Sequence, residues 1–204
     1  MPRKGQFTWD SKASRYRDWQ GHFVPPKRVR LALDKALDAT ARDIRVFTQQ
    51  FRDREISLIE WRREMRAAIK DSQLYAGAAA RGGFAQFDQV DFGRIGGLTG
   101  KQYKHLEDFL KQINDGSTPF DGRIVSRAAL YVQSARATYE RMRMIEQRDN
   151  NSMTEERSLL HPAEHCDECI AEAAKGWQPI GSLIPIGERT CLGNDRCTME
   201  YRAK

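Results

Sequence analysis

VRLALDKALDATARDIRVFTQQF, residues 29–51, is the stretch on which the fold turns. Its apolar residues fall at Val29, Leu33, Leu37, Ala41, Ile44, Phe47 and Phe51. Steps of three and four residues put them on one stripe of a helix, with charged residues filling the opposite face. A strand would need alternation, and none is present.

The same period continues downstream. Ser57 and Glu60 stand three apart, the spacing of a capping box, and Leu58, Trp61, Met65, Ile69 and Ala76 follow as a second stripe. The glycines of RGG at 81–83 predict its end. The stretch at 83–100, GFAQFDQVDFGRIGGLTG, reads as a loop rich in Gly and Phe. Thr99 and Gln102 then open a third helix bearing Tyr103, Leu106, Leu110 and Ile113, which DGSTPFDG at 115–122 ends with turn residues. A fourth helix is expected from about Arg123 to Arg148, with Val125, Ala128, Val132, Ala135, Tyr139 and Met142 inward. Its Arg127, Arg136, Arg141, Arg143 and Arg148, beside Glu140 and Glu146, read as a solvated, salt-bridged face rather than a nucleic-acid groove. The expected fold is therefore mainly α: a helical bundle or open helical array over residues 26–149, its stripes forming the core or, for one of them, a subunit interface.

Charge is placed unevenly. Residues 1–30 hold eight cations against two anions, which accounts for the whole formal charge of +6. Residues 1–25 interleave those cations with Phe7, Trp9, Tyr16, Trp19 and Phe23, with no helical or strand period, before Pro25–Pro26. They read as an extended basic arm. Arg3, Lys4, Arg15, Tyr16, Arg17, Trp19 and Phe23 are its candidate contacts to nucleic acid or a neighbouring subunit, through charge and stacking. The other course is for the aromatics to pack back on the chain's own helices. No run is long and apolar enough for a membrane span, and MPRKGQFTWDSK lacks the apolar centre of a secretory signal. Folding in a reducing cytoplasm is the expectation.

All four cysteines lie in residues 150–204, a Pro- and Gly-punctuated segment too poor in large apolar groups to build much core. The expectation is a small irregular Cys-rich module that needs a metal or a covalent link. Cys166 and Cys169 form a C-x-x-C pair, the spacing of a zinc knuckle; Cys191 and Cys197 enclose LGNDR, whose Gly and Asn suit a tight reversal. His165 stands next to Cys166 and could replace a sulfur, as could His161. Three outcomes are open: a zinc ion held by Cys166, Cys169, Cys191 and Cys197, disulfides such as Cys166–Cys191 or Cys169–Cys197, or free thiols. A thioredoxin-like role lacks its βαβ surroundings. No G-x-S-x-G, Walker or H-E-x-x-H motif occurs, and RIGGLTGK at 94–101 lacks the spacing of a phosphate loop, so no enzyme is expected.

RYRDWQGHFVP at 15–25, followed by VRLALD, resembles an N-terminal segment common in structural proteins of tailed bacteriophages. HCDEC at 165–169, AAKGW, SLIPIG and TCLGNDRCTMEY at 190–201 together resemble the terminal cysteine motif of phage minor head and head-morphogenesis proteins of the Mu F-like type. That resemblance implies a non-enzymatic virion component, assembled in the host cytoplasm. It would act in head assembly or stabilisation at the portal vertex or capsid, with portal, capsid or other virion subunits as partners, homo-oligomeric within the particle. The arm would thread onto a neighbour or packaged DNA, and Trp177, Ile180, Leu183 and Ile186 would form the module's core or docking surface. The alternative is a soluble DNA-binding accessory protein with a zinc knuckle, against which stands the neutral charge of residues 31–204.

Overall fold

The stripe at 29–51 lies on helix α1, Pro26–Arg52, which begins with proline in its first turn. The computed structural model describes residues 7–10, 12, 13, 15–150, 153–161, 164–192 and 195–204. Val29, Leu33, Leu37, Ala41, Ile44 and Phe51 are buried, and Thr48 joins them. Helix α2, Leu58–Arg81, starts at the expected capping box and stops at Gly82, whose φ of +79° is the left-handed cap that glycine adopts without strain. Trp61 sits at its centre, fully buried. Its ring stacks on Phe51 at 5.0 Å and meets Phe109 edge-on at 6.1 Å, and its indole N–H donates to Thr48 Oγ1 at 2.9 Å.

Two helix boundaries differ from the sequence expectation. Helix α3 runs Gln89–Asn114, so most of the Gly- and Phe-rich stretch is helical rather than loop. Asp88 caps it by accepting the amide of Asp91, and a short 3₁₀ turn at 84–86 precedes it. Asp91, Ile95 and Thr99 are buried at four-residue steps, and that tertiary contact outweighs the low helix propensity of four glycines. The expected fourth helix is two, α4 (Gly122–Gln133) and α5 (Ala135–Asn150), broken at Ser134. There the serine hydroxyl donates to Tyr131 O at 2.7 Å and accepts from Gln73 Nε2 at 3.1 Å, while its carbonyl accepts from Ala137 three residues on. A serine that bonds back to the preceding turn bends the helix carrying it.

The helices pack α1 on α4 and α2, and α2 on α5 and α3. The arginine face of the expected fourth helix is salt-bridged but only partly solvated: Arg148 is exposed and Arg141 pairs with Glu188 at the surface, whereas Arg136 is buried. Arg136 bonds Asp34 at 2.6 Å and Asp38 at 3.0 Å, Arg30 bonds Glu140 at 2.8 Å, and Arg81 pairs with Asp91 at 2.8 Å and with Glu146. Arg136, Glu140, Glu146 and Asp91 are buried, because facing helices supply opposite charges at those positions.

Strands β1 (Thr8–Asp10), β2 (Arg15–Arg17) and β3 (Phe23–Val24) form a three-stranded antiparallel sheet. Asp10 and Asp18 make its two reversals: Asp10 Oδ1 accepts the amides of Lys12 and Ala13, and Asp18 Oδ1 those of Gln20 and His22. Of the two courses open to the arm, Phe7, Trp9 and Tyr16 take the inward one and pack against the helical core. Tyr16, expected among the contact residues, is 1% exposed and so is removed from that set. No helix among the described residues is long and apolar enough to cross a membrane.

Residues 153–204 are more regular than expected. Strand β4 (Glu155–Leu159) pairs antiparallel with β5 (Gln178–Pro179) on one side and β6 (Thr198–Arg202) on the other, and helix α6 (Asp167–Ala174) packs on β4. The inward residues of β4 are polar, Glu156 and Ser158, because backbone and arginine donors of the cysteine loops meet them there.

Candidate metal centre

The local folding of each loop positions its thiol. Cys166 is the N-cap of α6 and Cys169 lies in its first turn, so the C-x-x-C pair straddles a helix N-terminus, where free amides and the helix dipole favour negative charge. Glu168, between them, accepts the backbone amide of Thr190 at 2.6 Å and its hydroxyl at 2.8 Å. That clip holds Cys191 over the helix start. Asp195 Oδ1 accepts the amide of Cys197 at 2.9 Å and sets the turn into β6. Glu172 and Glu156, both buried, accept the amides of Ile184 and Leu183 and fix the connecting loop.

The result is a convergence of sulfur atoms. Cys191 Sγ lies 2.9 Å from Cys166 Sγ and 3.5 Å from Cys169 Sγ. Among the described residues, the ligand atoms of Cys166, Cys169 and Cys191 form one set able to hold a metal ion, and those of Cys169, Asp195 and Cys197 form another, each within 4.8 Å. Cys169 is common to both. His165 Nδ1 lies 3.8 Å from Cys197 Sγ, beside the cluster. A tetrahedral ion with bonds of ~2.3 Å to sulfur needs sulfurs ~3.8 Å apart. The Cys169–Cys191 separation is close to that value. All four cysteines carry free thiols in this structure.

The acidities suit a site that charges on metal binding. Burial, first, pushes the Cys169 thiol up to about 12, and burial also raises Cys197. Cys191 is pushed up to about 12, mainly because it shares a hydrogen bond with Cys166, whose own value that bond lowers. The raised thiols hold their protons more tightly than a free cysteine, and a divalent cation would displace them. Three soft donors clustered at a helix N-terminus fit an ion that prefers sulfur.

Around the thiols stands a residue that carries no signal in the sequence. Arg189 is 0% exposed. Its Nε donates to Ile184 O at 3.0 Å, and its Nη1 donates to Ser158 Oγ at 3.0 Å and lies 3.9 Å from Cys169 Sγ. Arginines are expected at the surface, so neither pattern nor composition marks this one.

The expected contact residues are scattered differently. Trp19 is 64% and Phe23 43% exposed, and the Arg17 guanidinium lies over the Phe23 ring at 3.9 Å while pairing with Asp10 at 2.8 Å. Arg15 is exposed on the same strand. Arg3 and Lys4 lie outside the described residues. In the module, Leu183 and Ile186 are core, whereas Trp177 is half-buried between the guanidinium groups of Arg157 and Arg202. No protein-family model, curated protein or solved structure matches this chain.

Proposed function

We propose that this chain is a non-enzymatic structural protein of a bacteriophage virion, a minor head protein of the portal vertex or capsid. Its C-terminal module is closed by one zinc ion bound through Cys166, Cys169, Cys191 and Cys197. The observation that carries the reading is the convergence of Cys166, Cys169 and Cys191, with Cys197 in a second set that shares Cys169, in a module whose remaining buried apolar core among the described residues is Leu183, Ile186 and Met199. So small a core does not hold a fold alone, and a structural ion supplies the missing stability. Four protein ligands leave no open position on the metal, which suits a structural rather than a catalytic role. The virion assignment rests on the resemblance of residues 15–34 and 165–201 to phage head proteins. The exposed Trp19, Phe23 and Arg15 support contacts with portal or capsid subunits or with packaged DNA.

Quantitative mass spectrometry of purified phage particles, with metal analysis of the isolated protein, tests this. The expected result is a fixed copy number per portal ring and one zinc per chain. Absence from particles would overturn the virion role and favour the DNA-binding alternative. Cross-linked cysteine peptides with no metal would overturn the zinc clamp.

A further inference from the structure

We infer that Arg189 is the built-in counter-charge of the metal cluster, and that it limits the module to a single divalent ion. The inference rests on the zinc reading above and specifies its charge balance.

Arg189 is always charged, and its side chain is wholly buried. A buried cation is strongly destabilising unless a negative group compensates it. Its close partners are neutral: Ile184 O, Ser158 Oγ and, at 3.7 Å, the Met199 sulfur. One carboxylate faces it, Asp195, with Oδ2 4.0 Å from Nε, at the edge of ion-pair range and also committed through its other oxygen to the Cys197 amide. Glu168 attracts it from further off, but that carboxylate is on the surface and bonded to Thr190. Four thiolates around a divalent ion carry two negative charges in excess, and Cys169 Sγ is 3.9 Å from Nη1. The loaded cluster adds negative charge to the one distant carboxylate, Asp195, that faces the buried guanidinium, and the guanidinium offsets half of the cluster's excess.

The same geometry argues against a second ion. Cys169, Asp195 and Cys197 are close enough to form another ligand set, with His165 beside Cys197. Arg189 lies 3.9 Å from Cys169 Sγ and 4.0 Å from Asp195 Oδ2, two members of that set. A divalent ion there would face a cation across a few ångströms of low-dielectric interior. One ion per module is the favoured state.

The test uses the full chain, wild type, R189M and R189K, loaded with cobalt(II) and with zinc and titrated against a competing chelator. Wild type should bind one ion per chain, with sulfur-to-cobalt charge-transfer bands. R189M should bind about tenfold or more weakly, as loss of an outer-shell partner does. Its charge-transfer band should move to longer wavelength, because a thiolate without the neighbouring cation gives up an electron more readily. R189K keeps the charge and should lie closer to wild type in both. Unchanged affinity and band in R189M would overturn the inference and leave the zinc reading standing. Equal behaviour of R189K and R189M would overturn the counter-charge, and two ions per wild-type chain would overturn the limit. No metal on wild type would defeat the zinc reading itself. Should R189M fail to fold, R189K decides: tenfold weaker binding there overturns the inference.

Discussion

The hydroxyl of Tyr16 donates a 2.6 Å hydrogen bond to the carbonyl oxygen of Ala80, across 64 residues of sequence. Ala80 is in the last turn of α2, where helix carbonyls have no partner of their own. Tyr16 is thus a side-chain cap delivered by β2, and its ring meets Trp9 edge-on at 4.8 Å. Tyr16→Phe keeps the ring and orphans the carbonyl. It should lower stability by about 1–2 kcal/mol, read by urea denaturation. Tyr16→Ala, which also empties the site, should cost about 3–5 kcal/mol. If the two variants were equally stable, β1–β3 would not be part of the folded core.

Gly82 tests the same contact from the other side. A Cβ there would lie 2.1 Å from the backbone nitrogen of Trp9, and Trp9 is held by its pairing with Tyr16, so it cannot retreat. Gly116 has a similar φ, +76°, but faces open space. Gly116→Ala should cost about 1–2 kcal/mol, the left-handed penalty alone. Gly82→Ala should exceed it by about 2 kcal/mol or more through the clash. The difference between the two, measured in one denaturation series, isolates the packing of the N-terminal sheet on α2.

What could be read from the sequence follows from which residues carry a periodic signal. The stripe from Val29 to Phe51 and that from Trp61 to Ala76 are apolar at helical spacing, and both lie in the core. The start of α3 was hidden because Gly93, Gly96, Gly97 and Gly100 look like loop residues. The clue was that Asp91, Ile95 and Thr99 extend the spacing of Tyr103, Leu106 and Leu110 upstream. Strand β4 gave no hydrophobic alternation, since its buried residues are Glu156 and Ser158. The break at Ser134 depends on Gln73, sixty-one positions away, which no local pattern contains.

The candidate site was legible in its thiols and illegible in their supports. C-x-x-C spacing is a local rule, so Cys166 and Cys169 announce themselves. Arg189, Asp195 and the Glu168–Thr190 clip act across loops, and as isolated polar residues in a loop-rich stretch they resemble any surface. In the same way Tyr16 looked like an exposed aromatic among cations, because its partner at Ala80 belongs to another helix.

The capping box of α2 predicts a pH effect. Glu60 accepts from the Ser57 amide at 2.9 Å and hydroxyl at 2.8 Å, and those bonds, the amide first, hold its carboxyl below the usual 4.5. A carboxyl depressed in the folded state stabilises above its unfolded value and loses that contribution as pH falls through the folded one. Glu60→Gln should therefore flatten the acid limb of melting temperature against pH below about pH 4.5. Ser57→Ala should cost about 1 kcal/mol at neutral pH. An unchanged acid limb in Glu60→Gln would remove the carboxylate from the cap.

Arg81 ties three helices together. It leaves the end of α2 to meet Asp91 on α3 and Glu146 on α5, with the Asp91 side chain 0% exposed. Removing one partner of a buried pair strands the other charge, at about 3–5 kcal/mol. Arg81→Met should cost that much, and adding Asp91→Asn should return part of it, because the buried Asp91 charge is then gone while Glu146 remains. A double mutant whose loss equals the sum of the single losses would show that the pair is not coupled.

Metal removal should separate the two parts of the molecule. Helices α1–α5 share one core with β1–β3, which includes Trp61, Ile95, Phe109 and Tyr139, and none of it depends on a thiol. The module's core contains Cys169 and Cys197 themselves, so the ligands are also its packing. Its contacts with the helices include the Arg143 donation to Met199 O at 2.9 Å, the Arg143 guanidinium over the Tyr201 ring at 5.3 Å, the Arg141–Glu188 pair at 2.6 Å and the approach of Gly187 to Ala137. These cannot replace the lost core. A strong chelator, or Cys166→Ser, should leave the helical circular dichroism nearly unchanged while opening residues 153–204 to limited proteolysis. Added zinc should restore protection to the chelated wild type, and only weakly to the variant. Protection that survives chelation would mean that the Glu156, Glu172 and Arg189 bonds hold the module without an ion. Loss of the helical signal would mean that the body needs the module to fold.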